Sequence, residues 1–116
     1  MKKLISILIP AYNEEEVLDM LMERLGKLAA DQPRYNWEFM FVNDGSRDRT
    51  LEIIKQYAER DTRVSYINLS RNFGKETAMI AGFDHVRGDA VVNIDADLQD
   101  PPELIPQMIK YWEDGY

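Results

Sequence analysis

Cysteine is absent from the 116 residues, which excludes disulfides, thiol nucleophiles and zinc–thiolate sites. A single histidine, His85, rules out a multi-histidine metal centre, and its setting in a helical stretch points to a packing or surface role. Positive charge is scarce: 14 Lys and Arg stand against 21 Asp and Glu, a formal net charge of −7. A general nucleic-acid binder needs a basic face for the phosphate backbone, so that class is disfavoured. A single nucleotide remains compatible with an acidic chain, because a divalent ion and a few local cations offset its charge. No stretch approaches the roughly 20 apolar residues that span a bilayer. No G-x-G-x-x-G dinucleotide fingerprint, internal repeat, low-complexity tract or linker is present either. The opening Met1-Lys-Lys-Leu-Ile-Ser-Ile-Leu-Ile-Pro10 superficially resembles a signal peptide. Its apolar run is short, interrupted by Ser6, and leads into Pro-Ala-Tyr-Asn-Glu14 instead of a small-residue cleavage site, so it reads as a buried strand.

What is present is a strand–helix alternation. The hydrophobic fraction of 45% and charged fraction of 30% fit a folded domain. The length allows one domain with a modest core but is short for a complete α/β enzyme. Residues 4–9, 37–42, 64–69 and 90–94 are apolar runs rich in β-branched and aromatic residues. Between them, Val17, Leu18, Leu21, Met22, Leu25 and Leu28 recur at helical spacing, with Asn13 as cap and Glu16 completing a capping box. Leu51, Ile54, Tyr57 and Ala58 mark a second helix, and Ala78, Ala81 and Gly82 give a third a small-residue face. A fourth is expected to start at Asp100-Pro101 with Glu103 in its first turn, to bury Leu104, Ile105, Met108, Ile109 and Trp112, and to stop at Gly115. This order predicts an α/β fold with a parallel sheet covered on both faces. A further strand would be expected after Tyr116, so the chain reads as the first part of something larger.

The unusual polar residues follow the strands. Pro10-Ala-Tyr-Asn-Glu14, Asn43-Asp-Gly-Ser46, Ser70-Arg-Asn-Phe-Gly-Lys75 and the stretch from Asp95 to Asp100 would all emerge at the carboxyl edge of a parallel sheet, where open α/β folds bind ligands. Loops 31–36 and 60–63 and Arg87-Gly88-Asp89, at the other edge, look like ordinary solvated connections. Asp95-Ala-Asp97 ends a buried strand with two carboxylates one residue apart, a costly arrangement unless a cation sits there. Hard oxygen donors suit magnesium or manganese, which commonly share their coordination with phosphates; a solvated acidic turn is the alternative for a bare D-x-D. Asn13 and Glu14 serve equally as helix-start residues, and Tyr12 as a half-buried aromatic or a surface on which a base stacks. Asn43-Asp-Gly-Ser46 reads as a turn into a cap or, through Asp44, as an acceptor for nucleobase N–H groups. Arg71 and Lys75 are solvated cations or neutralise a diphosphate.

Taken together, Ile9-Pro-Ala-Tyr-Asn-Glu14, Val42-Asn-Asp-Gly-Ser46, Asn72-Phe-Gly-Lys75 and Asp95-Ala-Asp-Leu-Gln-Asp-Pro-Pro-Glu103 resemble the successive motifs of family 2 glycosyltransferases. The resemblance is closest to the polyprenyl-phosphate branch, which includes dolichol-phosphate mannosyltransferases and bactoprenol glucosyltransferases, and it runs through the whole chain. It implies a GT-A nucleotide-sugar-binding fold, a Mg2+ or Mn2+ ion and an inverting sugar transfer from a donor of the UDP-glucose or GDP-mannose type to a lipid phosphate. Pro10, Tyr12 and Glu14 would line the base and ribose pocket with Asn13 beside them, and Asp44 would contact the base. Lys75 would lie near the phosphates, and Asp95 with Ala96 near the ribose and metal. Asp95, Asp97 and Gln99 would hold the metal, with Asp97 as the catalytic position. Relatives often have two acids where this chain has Asn43-Asp44, so Asp44 is the only candidate carboxylate there. The resemblance implies that residues 1–116 are the donor-binding part of the catalytic domain, soluble and without a membrane segment. The acceptor-binding part and any membrane helices would lie beyond it, the longer parent would work at the cytoplasmic membrane face, and this segment alone would have negligible transferase activity.

Other readings fit less well. A receiver domain would want a phosphorylatable Asp after the third strand, where this chain has Ser70-Arg71, and a haloacid-dehalogenase-type phosphatase would want D-x-D after the first strand instead of the fourth. An inactive nucleotide- and metal-binding fragment, or a family 2 enzyme with a saccharide acceptor, are the alternatives within the resemblance.

Overall fold

The first strand is buried on both of its faces from Ile5 to Ala11, and this fixes the layering of the molecule. The computed structural model describes residues 2–96 and 105–115. Its elements run β1 (Leu4–Ala11), α1 (Leu18–Asp31), β2 (Asn36–Asp44), α2 (Thr50–Arg60), β3 (Val64–Leu69), α3 (Lys75–Phe83), β4 (Ala90–Asn93) and α4 (Ile105–Glu113). The strands form one sheet in the order β3-β2-β1-β4, and every pairing is parallel. Side chains alternate across a strand, so β1 and β2 each feed two cores. Ile5, Ile7 and Ile9 join Trp37, Phe39 and Phe41 on one face, under Leu18, Leu21 and Leu25 of α1, Ile54 of α2 and Ile105 and Ile109 of α4. Leu8, Met40 and Val42 face the other way and meet Ala78 of α3. A Cβ at Gly82 would collide with the Leu8 side chain, so the small-residue face of α3 is what brings this helix down onto the sheet.

Two strands run further than the apolar runs suggested, β3 matches its run, and β4 stops at Asn93, one residue short. β1 continues to Ala11 and β2 to Asn43 and Asp44, because Ala11 pairs with Asn43 and Asp44 with Leu69. Polar residues therefore enter the buried end of the sheet. Two helix expectations change. Asn13 does not cap α1, which begins at Leu18 without a side-chain cap. Met108 of α4 is exposed, whereas Ile105 and Ile109 are buried. The expected Asp100-Pro101 start of that helix, with Glu103 and Leu104, lies outside the described residues. Among the described residues, no helix is long and apolar enough to cross a membrane.

The amino edge is also corrected. Arg87-Gly88-Asp89 is a fastening, not a plain solvated loop. The Glu38 carboxylate, 3% exposed, accepts hydrogen bonds from Ser6 Oγ at 2.7 Å, Arg87 N at 3.0 Å and Arg87 Nε at 3.2 Å. Gly88 N donates to Ser6 Oγ at 2.9 Å, and Asp89 exchanges backbone and side-chain bonds with Leu4. Burial alone would raise the Glu38 pKa, but the Ser6 hydroxyl and the Arg87 donors outweigh it and hold the carboxyl below the usual value of 4.5. A folded-state pKa below the unfolded one contributes stability that is present above the unfolded value and lost as pH falls through the folded one. Thermal stability should therefore drop on acidification below about pH 4.5. Glu38→Gln should cost about 1–3 kcal/mol at neutral pH and flatten that drop, measured by thermal unfolding across pH. A Glu38→Gln variant as stable and as acid-sensitive as the parent would contradict the assignment.

Candidate functional site

Two loops at the carboxyl edge are laced together before any ligand is considered. Asn13 adopts a left-handed backbone, φ 53°, which turns its polar groups toward the β2–α2 loop. Its N–H donates to Ser46 Oγ at 3.0 Å, and its Oδ1 accepts from Arg47 N at 2.8 Å. Glu14 N donates to Thr50 Oγ1 at 2.8 Å. Asp48, opposed by burial but stabilised as an anion by the Thr50 hydroxyl and backbone N–H groups, has a lowered pKa. Asn13 thus ties the β1 and β2 loops into one wall.

A second clasp joins β2 to the start of α3. Asp44 is 4% exposed, and its two carboxylate oxygens accept from Phe73 N at 2.8 Å and Gly74 N at 3.1 Å. Such charge-assisted bonds are stronger than neutral ones, and the positive end of a helix dipole favours an anion at its N-terminus. Gly45 lets the two loops approach: its φ is +69°, and a Cβ there would strike the backbone of Arg71 and Asn72. The Arg71 guanidinium stacks over the Phe73 ring. Asp44 therefore spends its carboxylate on the loop that delivers Lys75, a use that the sequence did not suggest. Asn43, expected only to stand in place of a second acid, bonds through its side-chain amide to Asn68 at 2.9 Å and accepts weakly from Ser46 N.

Across from that clasp, β4 leads into Ile94, Asp95 and Ala96. Ile94 and Ala96 are each 1% exposed and pack into the core. Their anchoring leaves Asp95 at the surface between them, where its carboxylate meets Lys75 Nζ at 2.5 Å. Those side chains are 21% and 56% exposed. Pro10, Ala11, Tyr12, Glu14, Asp44, Lys75, Asp95 and Ala96 line one cleft of about 190 Å³. The structure thus gathers seven of the residues singled out in the sequence around one cavity, together with Ala11, which was not anticipated. Asn13 braces the wall from behind. Asp97 and Gln99 lie outside the described residues.

The donor chemistry at Asp95 fits a hard divalent ion, which takes one or two carboxylates and completes its shell with water and phosphate. Among the described residues, no group of three or more His, Asp or Glu side chains could enclose a metal, so Asp95 would be one member of a shared shell. The arrangement offers a flat Tyr12 ring, carboxylates at Glu14 and Asp44, and a facing acid and cation. Three carboxylates against one ammonium leave the cleft net negative, so an anionic ligand with a ring at one end would suit it only together with a divalent cation.

The parallel sheet, its flanking helices and this carboxyl-edge cleft are shared with solved GT-A glycosyltransferases, and the chain has that fold. A mannosyltransferase from Pyrobaculum calidifontis, solved in complex with GDP-Man and Mn2+, superposes with a TM-score of 0.72 at 20% identity over 87% of this chain and 34% of that one. S. aureus TarS 1-349, in complex with UDP-GlcNAc, gives a TM-score of 0.67 at 28% identity, covering 92% of this chain and 32% of that one. Residues 6–116 match the sequence profile of Glycosyl transferase family 2, and the chain belongs to that family. It is 52% identical over 111 residues to the uncharacterized glycosyltransferase YkcC of Bacillus subtilis (strain 168), covering 96% of this chain and 34% of that protein. It is 45% identical, again over 111 residues, to the bactoprenol glucosyl transferase of Shigella phage SfX, covering 96% of this chain and 36% of that protein. The chain therefore spans about a third of the length of these relatives.

Proposed function

We propose that the chain is the donor-binding portion of an inverting glycosyltransferase that moves a sugar from a nucleoside diphosphate sugar to a polyprenyl phosphate. The observation that carries this reading is the Lys75–Asp95 pair facing a cleft walled by Tyr12, Glu14 and Asp44. The 45% identity to a bactoprenol glucosyl transferase supports the lipid phosphate as acceptor. Tyr12, 40% exposed at the cleft, presents a ring for the base to stack on, and Glu14 and Asp44 supply acceptors for ribose or base N–H and O–H groups. Lys75 neutralises a diphosphate oxygen. Asp95, with Asp97 and Gln99, would hold Mg2+ or Mn2+, which supplies Lewis-acid stabilisation of the charge developing on the leaving diphosphate. An acceptor phosphate is already anionic near neutral pH, so no strong general base is required of this chain. In this reading the longer parent works at the cytoplasmic membrane face, and residues 1–116 alone turn over negligibly.

The test is transfer of labelled sugar from UDP-glucose and GDP-mannose to undecaprenyl phosphate by a longer parent protein, beside the 116-residue chain. Metal-dependent glycolipid formation by the parent and only background from the short chain are expected. Transfer to a soluble saccharide but never to the lipid phosphate would overturn the acceptor, and robust turnover by the short chain would overturn the division of labour.

A further inference from the structure

We propose that Lys75 is a resident counter-cation of Asp95, set in place by Asp44, and that a divalent ion must displace it to reach that carboxylate. The inference rests on the metal and diphosphate reading above and adds an order of events to it. Lys75 stands at the first position of α3, where the helix dipole presents its positive end and a cation is disfavoured. Two anions offset that placement. Asp44 receives the N–H groups of the two residues before Lys75, Phe73 and Gly74, and Asp95 lies 2.5 Å from the ammonium itself. The loop is not free to relocate, because Gly45 packs against the backbone of Arg71 and Asn72. The Asp95 backbone is likewise pinned by its buried neighbours Ile94 and Ala96.

Lys75 and a divalent ion therefore compete for one carboxylate, and like charges at such range repel. The four-carbon stem of lysine is flexible and its side chain is 56% exposed, so the ammonium can swing without unfolding α3. A diphosphate gives it somewhere to go. When metal and diphosphate arrive together, Asp95 exchanges the ammonium for the ion while Lys75 exchanges the carboxylate for a phosphate oxygen. Metal alone supplies only half of that exchange. The cleft is thereby biased toward the metal–donor pair and against the free ion, and Asp44 is the positioning residue that builds in the bias.

The signs of the predicted effects are opposite, which separates this role from a structural one. Manganese alone, titrated by electron paramagnetic resonance of the free ion, should bind Lys75→Ala about threefold to fivefold more tightly than the parent, from loss of a partly exposed ion pair. UDP or GDP with manganese, by calorimetry, should bind the same variant more weakly, and Lys75→Arg should restore both values toward the parent. Asp44→Asn should also tighten manganese alone, by less, and should add nothing in the Lys75→Ala background, because it acts through Lys75. No base is present in that titration, so a contact from Asp44 to the nucleotide cannot produce the effect. Thermal unfolding establishes that each variant is folded. Manganese affinity unchanged or weakened in Lys75→Ala, with the parent binding normally, would overturn the exchange alone. No manganese binding by any of these proteins would overturn the metal reading and the exchange together.

Discussion

Asp95→Asn should weaken manganese-supported binding of a nucleoside diphosphate by at least about tenfold to a hundredfold, the loss typical even of residues that only support a metal ligand. The substitution keeps the shape of the side chain and a neutral oxygen, and it removes the charge. The flanking Ile94 and Ala96 are core residues that it leaves untouched. Its cost in stability should be small, because the Lys75–Asp95 pair is partly exposed and such pairs contribute little. Calorimetry with UDP and GDP, beside thermal unfolding, reads both effects. Nucleotide affinity that is unchanged in a folded Asp95→Asn variant would remove Asp95 from the site.

Gly45→Ala is expected to be the most damaging single methyl group in the described chain. A left-handed backbone costs an alanine about 1–2 kcal/mol. The collision of its Cβ with the backbone of Arg71 and Asn72 adds about 1–3 kcal/mol, since neither atom is the end of a flexible side chain. Against a typical domain stability of about 5–15 kcal/mol that loss is large. It is also local to function: moving residues 71–72 pulls Phe73 and Gly74 off Asp44 and withdraws Lys75 from the cleft. Gly26→Ala is the contrast, a helical glycine with nothing within 4 Å of an added Cβ. It should stabilise the chain by about 0.5–1 kcal/mol. Urea unfolding of the two variants checks both signs, and a Gly45→Ala variant as stable as the parent would contradict the close approach of the loops.

The sheet was legible because four β-branched and aromatic runs alternate with amphipathic segments, and the parallel pairing follows from that order. The carboxyl-edge cluster was legible for the same reason, since a parallel sheet puts every strand-to-helix loop on one side. What escaped were contacts between residues far apart in sequence. Asn13 has the chemistry of a helix cap, but Ser46 and Arg47, more than 30 positions away, give its side chain and N–H better partners. Asp44 looked like a base contact. Its oxygens also accept two backbone N–H groups at the start of α3, a second use that leaves the base contact a proposal and that no local pattern predicts. Arg87-Gly88-Asp89 resembled a solvated turn because Glu38, its buried partner, lies 49 residues earlier. Asp97 and Gln99 rest on the family motif, outside the described residues.

Calorimetric titration of the 116-residue chain with UDP and with GDP, each with and without manganese, tests the central claim most directly. The account predicts saturable binding of one nucleotide in preference to the other, strengthened by manganese and weakened at least about tenfold in Asp95→Asn. Equal, metal-independent responses to both nucleotides, or none to either, would contradict it.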